Sequence, residues 1–96
     1  MTSVFVFNGS HAVFPCAVFT DGQRAISWIA RHRLTGTLTE YPVDVGAYDW
    51  AVDNGYFQPR REDQRTPQFI GGFTSSRQWH AHFVDGTGGC SADGEA

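Results

Sequence analysis

Residues 36–57 read GTLTEYPVDVGAYDWAVDNGYF and contain the clearest structural signals of the chain. Residues 37–41 alternate at the two-residue period of a β-strand, with Leu38 and Glu40 on one face. Pro42 lacks a backbone N–H group, so the strand is predicted to end there. We expect the rest of the fold to be organised around this strand.

The same stretch predicts a short helix directly after the strand. Asp44 has the chemistry of an N-cap, and Val43 and Tyr48 occupy the positions of a hydrophobic staple. Asn54 and Gly55 supply a C-terminal stop signal. The spacing predicts a helix of about ten residues.

The composition indicates one small domain followed by an unstructured end. The chain has 96 residues, which is enough for a single hydrophobic core. Residues 85–96 are rich in glycine and lack apolar periodicity. They are predicted to form a flexible acidic tail behind a globular domain at 1–84.

The charge of the chain argues against a nucleic-acid partner. Ten acidic and seven basic residues give a net charge of −3. Three of the acidic residues lie in 85–96, so residues 1–84 carry no net charge. Such a balance supplies neither the basic footprint of a nucleic-acid binder nor the dense negative surface of a nucleic-acid mimic.

The cysteines and the hydropathy pattern favour the cytoplasm. Cys16 and Cys90 are predicted to be free thiols, because pairing them would tie a flexible tail back onto the sheet. The apolar N-terminus has no basic residue before Arg24, which is unlike a signal peptide. No run approaches the ~18 apolar residues of a membrane-spanning helix, so no membrane partner is expected.

The N-terminal third is predicted to form two strands and a helix. Residues 3–7 are apolar on both faces, as in a central strand, and the Asn-Gly pair that follows is a strong hairpin signal. Residues 11–19 are predicted to form the second strand, in which Pro15 indicates either a sheet edge or a β-bulge. A capping box over residues 20–23 is predicted to start the helix.

The C-terminal part is predicted to add a loop and two more strands. Residues 58–67 contain two prolines, five charges and no apolar side chain, which is typical of a surface loop. Residues 68–73 are predicted to form a short strand bent at its glycines, and residues 77–84 a final strand. The apolar face of the final strand is formed by Trp79, Ala81 and Phe83.

These elements predict an α+β fold with the order ββαβαββ. We expect a mostly antiparallel sheet with two helices packed on one face. If the second and third strands are parallel, the helix between them makes a right-handed crossover. Trp28, Trp50 and Trp79 are predicted to converge between the helices and the sheet.

Two segments resemble the signature segments of a family of small, uncharacterised bacterial domains. Residues 34–51 read LTGTLTEYPVDVGAYDWA and residues 69–82 read FIGGFTSSRQWHAH, and the similarity covers most of residues 4–84. The resemblance implies a bacterial protein but carries over no activity and no catalytic residue. Small domains of similar size and style include suspected immunity and inhibitor proteins, which favours that class by analogy.

His80 and His82 form the sharpest local pattern for a metal site. Side chains two residues apart on a strand point the same way, and two imidazoles so placed can hold one zinc ion. Two ligands do not complete a site, and the chain lacks the spaced cysteine or histidine motifs of zinc proteins. A solvated or sheet-covering histidine pair is the alternative interpretation.

The remaining reactive side chains do not predict an enzyme. Cys16 lies in an apolar strand pattern, where a buried structural thiol is expected. The hydroxyl run at 74–76 lacks the turn motif that exposes a serine nucleophile, and no phosphate-binding loop occurs. Asp49 and Asp53 share a helix face, but nothing nearby supplies a nucleophile. We therefore expect no catalytic residue and no cofactor.

Asp49 and Asp53 are instead predicted to belong to a protein-binding surface. In one alternative they pair internally with arginines of the following loop, at Arg60, Arg61 or Arg65. In the other they face a basic partner together with Tyr48, Trp50 and Tyr56. The sequence thus favours a protein-binding module of immunity or inhibitor type, and the alternative function is a small metal- or ligand-binding protein using His80 and His82.

Overall fold

The computed structural model describes residues 2–91, and within this range five strands form one antiparallel sheet. The order across the sheet is β2-β1-β3-β4-β5. This confirms the predicted α+β class, and the predicted element order is approximately matched. The elements are β1 (Ser3–Gly9), β2 (Ala17–Phe19), α1 (Gly22–His32), β3 (Gly36–Pro42), α2 (Ala47–Asp53), a 3-10 helix (Glu62–Arg65), α3 (Pro67–Gly71), β4 (His80–Val84) and β5 (Thr87–Ser91).

Strand β3 is the centre of the sheet, as predicted. It pairs along its whole length with β1, from Ser3 opposite Pro42 to Gly9 opposite Gly36. Its other edge pairs with β4. Because β2 and β3 both run antiparallel to β1, they are parallel to each other, and α1 connects them across the intervening strand.

The main core lies between α1 and one face of the sheet. Asp21 caps the helix by accepting a hydrogen bond from the N–H of Gln23 at 2.9 Å, so the cap lies one residue after the predicted Thr20. The helix ends at Arg33, which adopts a left-handed conformation with φ 57°. The buried core residues are Phe7, Ala25, Ile29, Leu38, Ala81 and Phe83.

The predicted assignment of faces on the last strand holds, but the three tryptophans do not meet in one core. Ala81 and Phe83 are buried while His82 is exposed. All three indoles are only half-buried. Trp28 contacts Phe7 and Phe19, Trp79 contacts Phe5, and Trp50 contacts Tyr56 instead of the core.

Helix α2 is shorter than predicted and begins later. Its N-cap is Gly46, and Asp44 instead adopts a left-handed conformation with φ 68° in the preceding turn. The stop signal was correct, since the side-chain amide of Asn54 donates to the carbonyl of Trp50 at 2.8 Å. The helix therefore contains seven residues, Ala47–Asp53.

The strand predicted at 68–73 is wrong, because residues 67–71 form helix α3. The hydroxyl of Thr66 accepts a hydrogen bond from the N–H of Phe69 at 3.2 Å, and Pro67 occupies the first turn. Both are helix-start signals, since proline is preorganised for the first turn and lacks only an N–H that would be unpaired there.

The flexible tail predicted at 85–96 needs correction, because residues 87–91 form β5 beside β4. Asp85 and Gly86 make the two-residue turn between them, with φ values of 52° and 87°. Two positive φ values match the right-handed twist of a hairpin, and Asp-Gly is a preferred pair for such turns. The rest of the predicted tail, 92–96, lies outside the described residues.

The second strand is also shorter than predicted, because residues 10–16 form a loop. Strand β2 contains three residues and lies at the edge of the sheet, which is one of the two features that Pro15 indicated. Val13 and Phe14 in the loop are 84% and 76% exposed. Cys16 is an exposed free thiol, which corrects its predicted burial.

We expect Cys16 to react with a thiol reagent such as DTNB in the folded protein, because no burial protects it. The measurement is made in a Cys90→Ser background so that one thiol is counted. The expected result is one equivalent released without denaturant. A reaction that requires urea would show that the 10–16 loop covers this thiol in solution.

In the part of the chain that the structure describes, no helix has the length and apolar character required to cross a membrane.

Candidate functional site

The two predicted aspartates lie on the solvent side of α2. Asp49 and Asp53 are exposed, and within residues 2–91 neither makes an ion pair. Two of the loop arginines, Arg61 and Arg65, have other partners. The Arg61 guanidinium lies 3.0 Å from the Asp63 carboxylate and, by hydrogen bonding to it, lowers the pKa of Asp63. The internal pairing alternative is therefore not observed.

Arg65 likewise contacts backbone instead of the helix. Its guanidinium donates to the carbonyl oxygens of Pro59 and Arg61 at 3.2 and 3.3 Å. These bonds hold the 58–65 loop to itself, so the two aspartates of α2 keep their charge facing solvent.

Tyr48, also predicted at the binding surface, is half-buried and packs against other aromatic rings. Its hydroxyl donates to the carbonyl of Gln64 at 3.0 Å. Its ring contacts three phenylalanines within centroid distances of 5.5–6.2 Å, which makes a second aromatic cluster that joins α2 to α3. These three are Phe57, Phe69 and Phe73. Tyr48 thus helps to pack α2 against α3.

The rings of Trp50, which is half-buried, and Tyr56 are in contact. Their ring centroids are 5.3 Å apart, and Tyr56 is 42% exposed. The guanidinium carbon of Arg77 lies 4.4 Å from the centre of the Tyr56 ring, which is cation–π geometry. An arginine from the segment before β4 is thus stacked on the aromatic surface beside α2.

A pocket of about 250 Å³ opens between Trp50 and Trp79. It lies at the end of the core-facing side of β1 and β3, where the main core stops, and α2 supplies one wall. Its walls are mainly apolar and its polar groups come from three different segments. The lining residues are Ser3, Glu40, Pro42, Trp50, Arg77, Gln78 and Trp79.

Glu40 is the acidic group of this pocket. It is half-buried, and the hydroxyl of Ser3 donates to one of its carboxylate oxygens. Its backbone N–H donates to the carbonyl of Trp79 at 2.9 Å, and the buried amide of Gln78 donates to its carbonyl at 3.2 Å. Among the described residues Glu40 has no ion-pair partner.

Sequence reasoning missed Glu40, Arg77 and Trp79 as site residues. One signal was available, because Glu40 alternates onto the same strand face as the apolar Leu38. A carboxylate on the buried face of a central strand needs an explanation, since burying a charge is costly without compensation. No sequence pattern indicated that Arg77 would stack on Tyr56.

His80 and His82 lie on the sheet face opposite α1, in register with Thr39 and Thr37. Their ring centroids are 5.4 Å apart and nearly perpendicular. Nδ1 of His80 hydrogen-bonds the carbonyl of Gln78 at 2.9 Å, so that nitrogen carries the proton in the neutral ring. Among the described side chains no third ligand completes a metal cluster with them.

A family model described as a domain of unknown function, DUF7710, matches residues 4–89. This confirms the resemblance to an uncharacterised family. No curated protein and no solved structure matches the chain.

Proposed function

Because the chain belongs to the DUF7710 family of unknown function, we propose its function from its own surface. We propose that it is a protein-binding module, acting by stoichiometric binding of a basic partner protein in the manner of an immunity or inhibitor protein. The binding surface consists of Asp49, Asp53, Trp50 and Tyr56. The module works in the cytoplasm and performs no catalysis.

The observation that supports the proposal is that the exposed carboxylates of Asp49 and Asp53 (the acidic stripe), which make no ion pair among the described residues, lie beside the half-buried Trp50 and the exposed Tyr56. Asp53 is the last residue of α2, where a negative charge opposes the helix dipole. Asp49 and Asp53 are also like charges four residues apart, which costs a few tenths of a kcal/mol. Folding therefore does not account for Asp53, whereas a basic partner would.

The neighbouring aromatic rings fit the same interpretation. Tyrosine, tryptophan and arginine are enriched in the centres of protein interfaces, because they combine large apolar area with a polar group. Trp50, Tyr56 and Arg77 lie in contact next to the acidic stripe. Exposed carboxylates at the edge of such a patch would steer a basic partner towards it.

The test is capture of a partner from an extract of the protein's own host, followed by native mass spectrometry of the complex. Wild-type protein should carry one partner protein per chain. Asp53→Asn should weaken capture several-fold at low salt and lose this difference near 0.5 M salt, since screening removes rim electrostatics. The double variant Asp49→Asn/Asp53→Asn should show a larger loss.

Glu62→Gln is the matched control, because it removes one exposed acidic charge from the 3-10 helix instead of α2. It should leave capture unchanged. Asp53→Asn should also keep or slightly raise the melting temperature, because it removes an unfavourable charge from a helix end. Unchanged capture by both aspartate variants would refute the proposed surface.

The second candidate function is a metal- or ligand-binding protein using His80 and His82. The observation in its favour is the 5.4 Å approach of the two rings on one sheet face. The same native mass spectrum separates the candidates. A bound zinc ion that is lost in the His80→Ala/His82→Ala variant would favour the second function over the first.

A further inference from the structure

We propose that the pocket between Trp50 and Trp79 receives an arginine side chain of the partner. This inference rests on the proposed function and assigns its partner a specific contact. The guanidinium stacks against the indole walls and pairs with the carboxylate of Glu40. The walls, the charge and the size of the pocket each favour this occupant.

The walls suit a planar cation. Guanidinium groups stack on aromatic faces and are more weakly hydrated than ammonium groups, so arginine is preferred over lysine in partly buried sites. The protein already shows this contact at the rim, where Arg77 stacks on Tyr56 at 4.4 Å. Trp50 and Trp79 offer two further indole faces a short distance away.

The charge of the site also favours a cation. Glu40 lies in the pocket without an ion-pair partner among the described residues, and only one of its oxygens accepts the Ser3 hydroxyl. Asp53 lies three residues after Trp50 on α2, and side chains three apart are neighbours on a helix. Among the described residues that line the pocket, Glu40 supplies the one carboxylate and Arg77 the one guanidinium, and Asp53 adds a negative charge at a neighbouring position of α2.

The size of the pocket fits a side chain better than a free cofactor. Its volume of about 250 Å³ is below the roughly 300–1,000 Å³ of typical small-molecule sites. Interface hot spots are typically side chains, arginine among them, that fill desolvated pockets near the centre of an interface.

The pocket can be tested without the partner by using Nα-acetyl-arginine amide as a probe. Nα-acetyl-citrulline amide is the matched control, because it has nearly the same shape and no charge. Binding is followed by the NMR signals of the three indole N–H groups. We expect the arginine probe to shift Trp50 and Trp79 in a saturable way, while Trp28, which packs elsewhere, serves as an internal reference.

Two substitutions identify the group that binds the probe. Glu40→Gln keeps an acceptor for Ser3 and should weaken binding of the arginine probe about tenfold. Glu62→Gln should not change it. Arg77→Gln should leave binding equal or tighter, because Arg77 is the one basic residue among the described residues that line the pocket.

The outcomes separate this inference from the proposed function. Equal shifts with the citrulline probe, no saturation, or loss of binding in Arg77→Gln would overturn the arginine pocket, even if the aspartate variants still weaken partner capture. Saturable arginine binding that depends on Glu40 would support the pocket. If the aspartate variants then left capture unchanged, the acidic stripe would fail as the binding surface while the arginine pocket stood.

Discussion

Replacing Gly36 by alanine should destabilise the domain severely. A Cβ atom at this position would meet the carbonyl oxygen of Asn8, and it would lie 2.7 Å from Cζ of Phe7 and 2.8 Å from Cα of Gly9. Two of these atoms belong to the backbone of β1, which is fixed by pairing along its whole length. Overpacking costs about 1–3 kcal/mol and sometimes more, and we expect the upper end or beyond.

The measurement is urea unfolding followed by circular dichroism. Gly71→Ala is the matched control, because nothing lies within 4 Å of its added Cβ, and its midpoint should stay nearly unchanged. The double variant Phe7→Leu/Gly36→Ala should not be rescued, since trimming the ring leaves the clash with the β1 backbone. A Gly36→Ala midpoint equal to wild type would mean that β1 and β3 are farther apart than described.

Replacing Phe7 by alanine should cost about 3–5 kcal/mol, a large part of the 5–15 kcal/mol typical of a small domain. Its side chain is 1% exposed and is among the largest fully buried side chains of the described chain. It contacts Trp28 edge-on, and it lies opposite Leu38 in the central pairing. Removing it leaves a cavity bordered by both layers of the fold.

Phe14→Ala makes the same chemical change at a residue that is 76% exposed. Its free energy of unfolding should differ from wild type by no more than about 0.5 kcal/mol. Similar losses in the free energy of unfolding at Phe7 and Phe14 would show that the Phe14 side chain is buried in solution.

The centre of the fold could be predicted because its signals are local. Alternation over 37–41 and the proline at 42 define β3, and the same period separates Ala81 and Phe83 from the two histidines. Side chains alternate between the two faces of a strand whichever strands pair with it. The alternation is therefore visible in the sequence of any sheet that buries one face.

The errors arose where composition was given more weight than a short capping or turn signal. Thr66 and Pro67 start a helix, yet the glycines at 71 and 72 suggested a bent strand. Asp85-Gly86 is a hairpin turn, but the glycine-rich segment after it suggested a tail. The turn is also secured by tertiary contacts invisible in the sequence, since the N–H of Gly86 donates to the carbonyl of Leu34 at 2.8 Å.

The part of the candidate site that lies on α2 could be predicted, because its spacing is local, whereas the part built by tertiary contacts could not. Asp49, Asp53 and Trp50 lie on one helix, so their proximity follows from helical spacing. Glu40 and Trp79 meet only because β3 and the segment before β4 come together across 39 positions of the chain. That contact depends on strand order and register, which local patterns do not contain.

The position of β1 has a consequence for synthesis on the ribosome. This apolar strand is made before the other strands of the sheet, but it lies between β2 and β3, and its long partner ends only at Pro42. Until then the nascent chain can offer it just the three residue pairs of β2. Non-local strand pairing is slow and leaves apolar segments exposed. We therefore expect β1 to stay without its main partner until residues 36–42 have left the exit tunnel.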